Sequence, residues 1–380
     1  VPQQPRYYII AGEASGDLHG SNLVAALKKL QPGCIIRGWG GSRMQAAGMD
    51  LVKHYKDLAF MGFAEVVMNL KTIFRNLSFC KKDILAFRPD VLVLIDYPGF
   101  NLRIAKWAKE QGLKVIYYIS PQVWAWKEGR VKMMKRCIDQ MLVILPFEQE
   151  YYKNKWNWEV AYIGHPLIEE IDQKKKAGTD LIIKDANGHP VTRPVIALLP
   201  GSRKQEIEKK LPVMLAVSKN FPDYQFVVAQ APAVEDAFYK QFTGSYPNIS
   251  TVQNRTYDIL LQATAALVTS GTATLETALF GVPEVVCYKG SEISYQIAKR
   301  VISIQYISLV NLIMNREVVK ELIQGAMNEQ NITAELNALL FNEQRRLQIK
   351  NDYNQLYRLL AAEGDASRKA AEIIINSAAQ

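Results

Sequence analysis

The stretch VLVLIDYPGFN, residues 91–101, constrains the fold more than any other part of the chain. It opens with five consecutive apolar residues, three of them β-branched, and such a run is buried on both faces only inside a parallel sheet. The run stops at an acid, Asp96, followed by Pro98 and Gly99, which mark a turn. The Asp96 carboxylate is thus expected at the C-terminal end of a buried strand. Open α/β sheets bind ligands at that edge, and an acid there can take a proton from a substrate. An acid at this position also suits capping of a helix that starts near Phe100, and the stretch alone leaves both readings open.

The segments around it repeat one pattern of strand, turn and helix. YYIIA at 7–11 reads as a strand and GEASGD as a tight turn, while Leu23, Leu27 and Leu30 lay an apolar stripe along the next helix. Further strands are expected at 34–37, 115–119 and 141–145, which gives a parallel, doubly wound α/β sheet over residues 7–171. The pattern lapses over 172–193, DQKKKAGTDLIIKDANGHPVTR, a stretch rich in charge and turn residues that reads as a linker. A second series follows over 194–342: VIALLP, YQFVVAQ, ISTV, AALVTS and PEVVCY. Two Rossmann-like domains joined by a linker predict a cleft between them. Residues 343–380 read as two helices broken near Gly364 with no strand of their own. They are expected to pack on the first domain or on a neighbouring subunit.

Composition narrows the function classes. The 380 residues are enough for two domains, and 49% hydrophobic with 22% charged content is that of a globular protein. No apolar run approaches the roughly 20 residues of a membrane span, no signal peptide is visible, and residues 1–6 read as a ragged start. A net charge of +9 favours anionic partners, whether phosphates, acidic lipid or nucleic acid, without choosing among them. Cys34, Cys80, Cys137 and Cys287 form no CxxC and have no histidine at ligand spacing, so a reduced cytoplasmic chain without structural zinc is expected.

Several glycine-rich turns carry the binding chemistry. Gly12-Glu13-Ala14-Ser15-Gly16-Asp17 lies between the first strand and first helix, where small residues admit a ligand to backbone amides. Neither this turn nor Gly38-Trp39-Gly40-Gly41 completes GxGxxG, and no Walker motif is present, which disfavours an NAD-dependent oxidoreductase or a P-loop NTPase. Leu198-Leu199-Pro200-Gly201-Ser202-Arg203 sets a guanidinium after a buried strand, suited to bidentate bonds with a phosphate. Thr269-Ser270-Gly271-Thr272-Ala273-Thr274-Leu275-Glu276 repeats the logic; Glu276 either favours its own helix N-terminus or accepts the hydroxyls of a ribose. No Asp-x-Asp is present to hold a metal at a sugar diphosphate, so amides, helix dipole and Arg203 would stabilise that leaving group, and no cofactor is expected.

Residues 58–79 predict an amphipathic helix with Phe63, Val66, Val67, Leu70, Ile73, Phe74 and Leu77 at helical spacing. Its apolar face either joins the core or meets a bilayer and acyl chains. Lys127, Arg130, Lys132, Lys135 and Arg136 follow Trp124-Ala125-Trp126 as a basic run, either a solvated helix face or a guide to anionic lipid. His165, in YIGHP, reads as packing or chemistry, with packing favoured.

Taken together, AGEASGD, FMGFAEV, RPDVLVLIDYPGFN, YYISPQVWAWKEGRV, LPFE, YIGHPL, LLPGSRKQEI, SGTATLETAL and YISLVNLI resemble the lipid-A-disaccharide synthase family of two-Rossmann (GT-B) glycosyltransferases over nearly the whole chain. The resemblance implies transfer of 2,3-diacylglucosamine from UDP to 2,3-diacylglucosamine 1-phosphate (lipid X), forming a β-1,6 disaccharide with inversion. This would take place on the cytoplasmic face of the inner membrane of a Gram-negative bacterium. It implies Asp96 as base and Arg203 and Glu276 as UDP ligands. Gly201, Ser202, Gly271, Thr272 and Asn311 would lie on the same donor site, and Glu13 and Ser15 would face it. A homodimer with exchanged C-terminal segments is also implied. Two positions depart from the family pattern: Gly99 stands for an acid and Val310 for a proline. The rival readings are a UDP-N-acetylglucosamine 2-epimerase of the same architecture and a non-catalytic module binding nucleic acid or anionic lipid.

Overall fold

The structure, a computed structural model, describes residues 4–58, 70–125, 127–232, 234–290 and 305–379. The chain divides into two compact units, Val1–Pro166 with Leu360–Gln380, and Leu167–Leu359. The strands of the first are β1 Arg6–Ala11, β2 Ile35–Gly40, β3 Asp50–His54, β4 Val91–Ile95, β5 Val115–Tyr118, β6 Gln140–Val143 and β7 Ala161–Tyr162. Those of the second are β8 Val195–Leu199, β9 Gln225–Gln230, β10 Ile249–Gln253, β11 Ala263–Thr269, β12 Glu284–Tyr288 and β13 Lys320–Ile323. The principal helices are α1 Ala14–Leu30, α2 Leu70–Phe87, α3 Pro98–Glu110, α4 Pro146–Trp156, α5 Leu167–Ala177, α6 Lys204–Val217, α7 Thr272–Phe280, α8 Leu309–Met314, α9 Glu329–Phe341, α10 Glu343–Ala361 and α11 Ala366–Ala378.

In the first unit the sheet runs β3-β2-β1-β4-β5-β6-β7, parallel throughout. Strand order reverses between β1 and β4, so the loops after these two strands flank the switch point where such sheets take ligands. Alternate residues bury on opposite faces, as a continuous apolar strand demands. Tyr8, Ile10, Leu92 and Leu94 pack with Cys80 and Ile84 of α2 and Ile104 of α3. Tyr7, Ile9, Val91 and Val93 pack with Leu23, Val24 and Leu27 of α1 and with Ala370, Ala371 and Ile374 of α11. The C-terminal helix thus completes a face of the first sheet, and fully burying Ile374 alone contributes about 1.5–3 kcal/mol.

The second unit carries a parallel sheet in the order β10-β9-β8-β11-β12-β13, with its switch point between β8 and β11. Val195, Ala197, Leu199, Val227, Ala266 and Val268 form one core face with Ile259 and Val282.

The structure departs from several expectations. Residues 172–193, read as a linker, belong to the second unit: Ile183 is buried in its core and Lys174 pairs with Asp258 at 2.7 Å. The charge in this stretch is thus partly engaged in ion pairs. Leu58 ends a 3-10 turn, Tyr55–Leu58, and the described helix starts at Leu70; Phe63, Val66 and Val67 lie outside the described residues. Strands β3, β7 and β13 are short or edge strands of mixed polarity, hence without an apolar run to reveal them. By contrast, residues 343–380 do form two helices, α10 and α11, on either side of Gly364, as expected, and α11 lies on its own chain's first unit.

Candidate active site

In the first unit, Asp96 follows β4 directly and is half-buried. It does not cap the next helix: α3 begins at Pro98 with Tyr97 at its N-cap position and no side-chain cap bond. Asp96 and Tyr97 both adopt left-handed backbone, φ 42° and 50°, which turns the chain sharply out of the strand. The backbone is held there from several sides. The Asp96 N–H donates to the Tyr118 carbonyl at 3.0 Å, and its own carbonyl accepts from the Tyr117 hydroxyl at 2.5 Å and from Asn101 Nδ2 at 2.8 Å. Asn101, fully buried in the first turn of α3, also donates to the Ile95 carbonyl at 3.1 Å.

The neighbouring strand end supplies the other wall. A Cβ on Gly12 would stand 2.2 Å from Tyr97 Cδ1, so only glycine lets that ring lie against the turn after β1. Glu13 is exposed at the N-cap of α1 with no side-chain cap bond, and Ser15 is exposed beside it. Burial, reinforced by the Glu13 carboxylate, pushes the Asp96 carboxyl up to about 6. A carboxylate with that proton affinity is mostly ionised at neutral pH and is able to accept a proton. Asp17, from the same GEASGD turn, is structural: its buried carboxylate accepts from the amides of Gly41 at 2.8 Å and Met44 at 3.0 Å.

Two buried groups nearby have fixed roles. Glu148 accepts from Leu145 N at 3.0 Å and Trp124 Nε1 at 3.2 Å, closing the start of α4 and orienting the tryptophan. Burial lowers His165 to about 3, with His19 adding to the effect, so this ring is neutral and packs; its backbone N–H donates to the Leu360 carbonyl at 3.3 Å.

In the second unit, the switch point gathers the two phosphate-friendly turns. Gly201 follows β8 with φ 120°, a conformation that L side chains rarely adopt, and a Cβ there would meet Glu206 Oε2 at 2.8 Å. Ser202 and Arg203 are exposed at the start of α6, with 69% of the Arg203 side chain accessible and only a loose 3.9 Å contact to Glu206. Its guanidinium is therefore available to an anion. On the adjacent strand end, Gly271 and Thr272 are exposed at the N-terminus of α7, whose first amides and dipole favour negative charge. Glu276 lies one turn in. Its Oε1 accepts from the Tyr257 hydroxyl at 2.7 Å, and burial raises its proton affinity.

Asn311 stands differently from what the resemblance implies. It is fully buried, its Nδ2 donates to Val319 O at 2.8 Å and Glu321 Oε1 at 2.9 Å, and its Oδ1 accepts from Val318 N and Val319 N. Both donors and both acceptor sites are filled internally, so in this structure it ties α8 to β13. Sequence reasoning named Gly12 only as part of its turn and passed over Tyr97, Asn101 and Tyr257; of these three only Asn101 carried a signal, as a polar residue inside the apolar start of a helix.

Of the apolar helix, Leu77 is buried, Ile73 packs against the core, and Phe74 is 62% exposed. The described part of the predicted face is thus split between core and solvent.

Comparison with known proteins adds to this geometry. A family model described as lipid-A-disaccharide synthetase matches residues 7–376. The lipid-A-disaccharide synthase of Syntrophus aciditrophicus is 41% identical over 368 residues, covering 95% of each chain. That of Trichlorobacter lovleyi is 36% identical, covering 100% of this chain and 99% of its own. Among solved structures, a UDP-GlcNAc 2-epimerase from Neisseria meningitidis aligns with a TM-score of 0.65 at 13% identity, covering 98% of this chain and 100% of that one. The calicheamicin glycosyltransferase CalG4 aligns at 0.61 and 15%, covering 99% and 98%. At such identities the neighbours establish the fold, which is that of GT-B enzymes. The match along nearly the full length, at 36–41% identity, establishes more: this chain belongs to the lipid-A-disaccharide synthase family and is a glycosyltransferase of lipid A biosynthesis.

Proposed function

We propose that the chain transfers 2,3-diacylglucosamine from UDP-2,3-diacylglucosamine to lipid X in a single inverting displacement. Asp96 removes the proton from the acceptor's 6-hydroxyl as that oxygen bonds to the anomeric carbon. The bond from that carbon to the diphosphate oxygen breaks, and UDP leaves with the electron pair. Arg203 and the amides after Gly201 and Gly271 take up the charge that develops on the diphosphate, while Oε2 of Glu276 accepts from the ribose. Glu13 and Ser15 orient the donor sugar. No metal or cofactor takes part in this scheme. The observation that carries it is the half-buried Asp96 carboxyl at a switch point, its proton affinity raised to about 6.

The same reading places the enzyme peripherally on the cytoplasmic face of the inner membrane. Among the described residues no helix is long and apolar enough to cross a membrane. The net charge of +9 supports attraction to anionic lipid, and exposed Phe74, Phe79 and Leu85 on α2 support contact with acyl chains, each buried CH₂ contributing about 0.8 kcal/mol. We also propose a homodimer, checked by light scattering. No nucleic-acid partner enters the scheme.

The test is UDP release from UDP-2,3-diacylglucosamine with and without lipid X, in the presence of EDTA. Release that requires lipid X and yields a disaccharide phosphate is the expected result. Binding of UDP without acceptor-dependent release would overturn the proposed acceptor and favour epimerase-type chemistry.

A further inference from the structure

Lys210 is buried in a place where an apolar residue would be expected. It lies in α6 with 3% exposure, and lysines are almost never so buried unless paired. Yet among the described residues its Nζ forms no ion pair; its one hydrogen bond is to the Thr269 hydroxyl. An ammonium has three donors, so this contact leaves two unused. The Tyr288 ring centroid, 6.0 Å away, offers a weak cation–π contact.

Its position explains the anomaly. A Cβ built on Gly201 would lie 3.5 Å from Nζ, so the ammonium sits directly beneath the turn that follows β8. Thr269, its hydrogen-bond partner, is the last residue of β11, the strand across the switch point. The charge therefore lies under the junction of the two turns that carry Arg203 and the N-terminus of α7. Glu206 is the nearby acid, and its Oε2 also lies under Gly201, where it screens part of that charge.

We propose that Lys210 is a positioning residue of the donor site, whose buried positive charge acts through the Gly201 turn on the diphosphate of the bound nucleotide. The inference rests on the donor reading above and deepens it. A cation behind the turn, shielded from water, keeps its field in a region of low effective dielectric. An incoming diphosphate supplies a counter-charge to the ammonium through the turn. Burial of an unpaired charge disfavours the fold, so its presence is explained by binding rather than by stability.

The test is titration calorimetry of the full chain with UDP and with uridine, which differ only in the diphosphate. Lys210→Met is expected to weaken UDP binding about tenfold, or ~1.4 kcal/mol, and to leave uridine binding unchanged. Lys210→Gln keeps a donor to Thr269 without the charge and should behave the same way, whereas Lys210→Arg should keep the wild-type ratio of UDP to uridine affinity. Without nucleotide, the Met variant should melt no lower than the wild type. Equal loss of both ligands, an unchanged UDP affinity in both neutral variants, or wild-type UDP affinity in Lys210→Gln would overturn the role of the charge. Wild-type protein that fails to bind UDP at all would overturn the donor reading itself, an outcome distinct from these.

Discussion

Asp96→Asn separates chemistry from folding unusually well in this protein. Asparagine tolerates the left-handed φ of 42° at this position better than most residues, and the bonds from Tyr117 and Asn101 go to the Asp96 carbonyl, which the substitution leaves in place. Losing the base should lower turnover about 10²- to 10⁴-fold. The wild type should show an acid limb with its midpoint at about pH 6, since the reaction needs the ionised carboxylate and burial holds the carboxyl there. On simple titration, about nine-tenths of the sites are active at pH 7 and about one-tenth at pH 5. Glu13→Gln removes the second cause of the shift, so the midpoint should fall, though only part of the way, because burial is the larger cause.

The stability consequence has the opposite sense. The folded state holds this proton more tightly than the unfolded chain, so stability declines as pH rises from about 4 to about 6 and is level above that. The rise of this carboxyl to about 6 is worth at most about 3 kcal/mol, and less here because water partly screens a half-buried group. Asp96→Asn should therefore melt no lower than wild type at pH 7 while being nearly inactive. Initial rates of UDP release between pH 5 and 8.5, with thermal melts of the same samples, measure both. A wild-type midpoint near pH 4, or substantial turnover in the Asn variant, would refute the reasoning.

Four further perturbations test other parts of the molecule. Arg203→Ala, removing a charge-assisted bond of about 1.5–3 kcal/mol, should raise the donor KM ten- to a hundredfold, and an unchanged KM would count against its role. Gly12→Ala drives a methyl into the Tyr97 ring and should lose about 1–3 kcal/mol by denaturant unfolding, with turnover falling more than UDP affinity. On α2, Phe74→Ser should reduce retention on anionic vesicles without lowering the melting temperature, whereas Leu77→Ser should destabilise by about 2–5 kcal/mol; the reverse pattern would remove the helix from the membrane reading. Glu284 is fully buried with neither carboxylate oxygen bonded among the described residues, and burial, then Glu321, raises it well above the usual range. Holding that proton becomes harder as pH rises above the unfolded value, so Glu284→Gln should raise the melting temperature at pH 8 and not at pH 4.

The candidate site residues were legible because their signals are local. A buried strand announces itself by five apolar residues in a row, and the turn that ends it by Pro98 and Gly99, so Asp96, Arg203 and Glu276 could be assigned to strand ends or helix starts from neighbours alone. The central strands were found for the same reason, while β3, β7 and β13, lying at or near sheet edges, bury too little to leave a pattern. What needed the tertiary structure was adjacency. That β1 runs beside β4, and β8 beside β11, depends on strand order, which brings Glu13 to Asp96 and Thr269 to Lys210 across 83 and 59 positions of sequence. Only burial decides whether a polar residue serves the fold or a ligand: Asp17 and Asn311 sit in motifs as suggestive as that of Asp96, but their hydrogen bonds close within the fold. A sequence records which groups are present and along which face of an element they lie. Proton affinity and free bonding capacity are set by the groups that approach through space, and these come from distant parts of the chain.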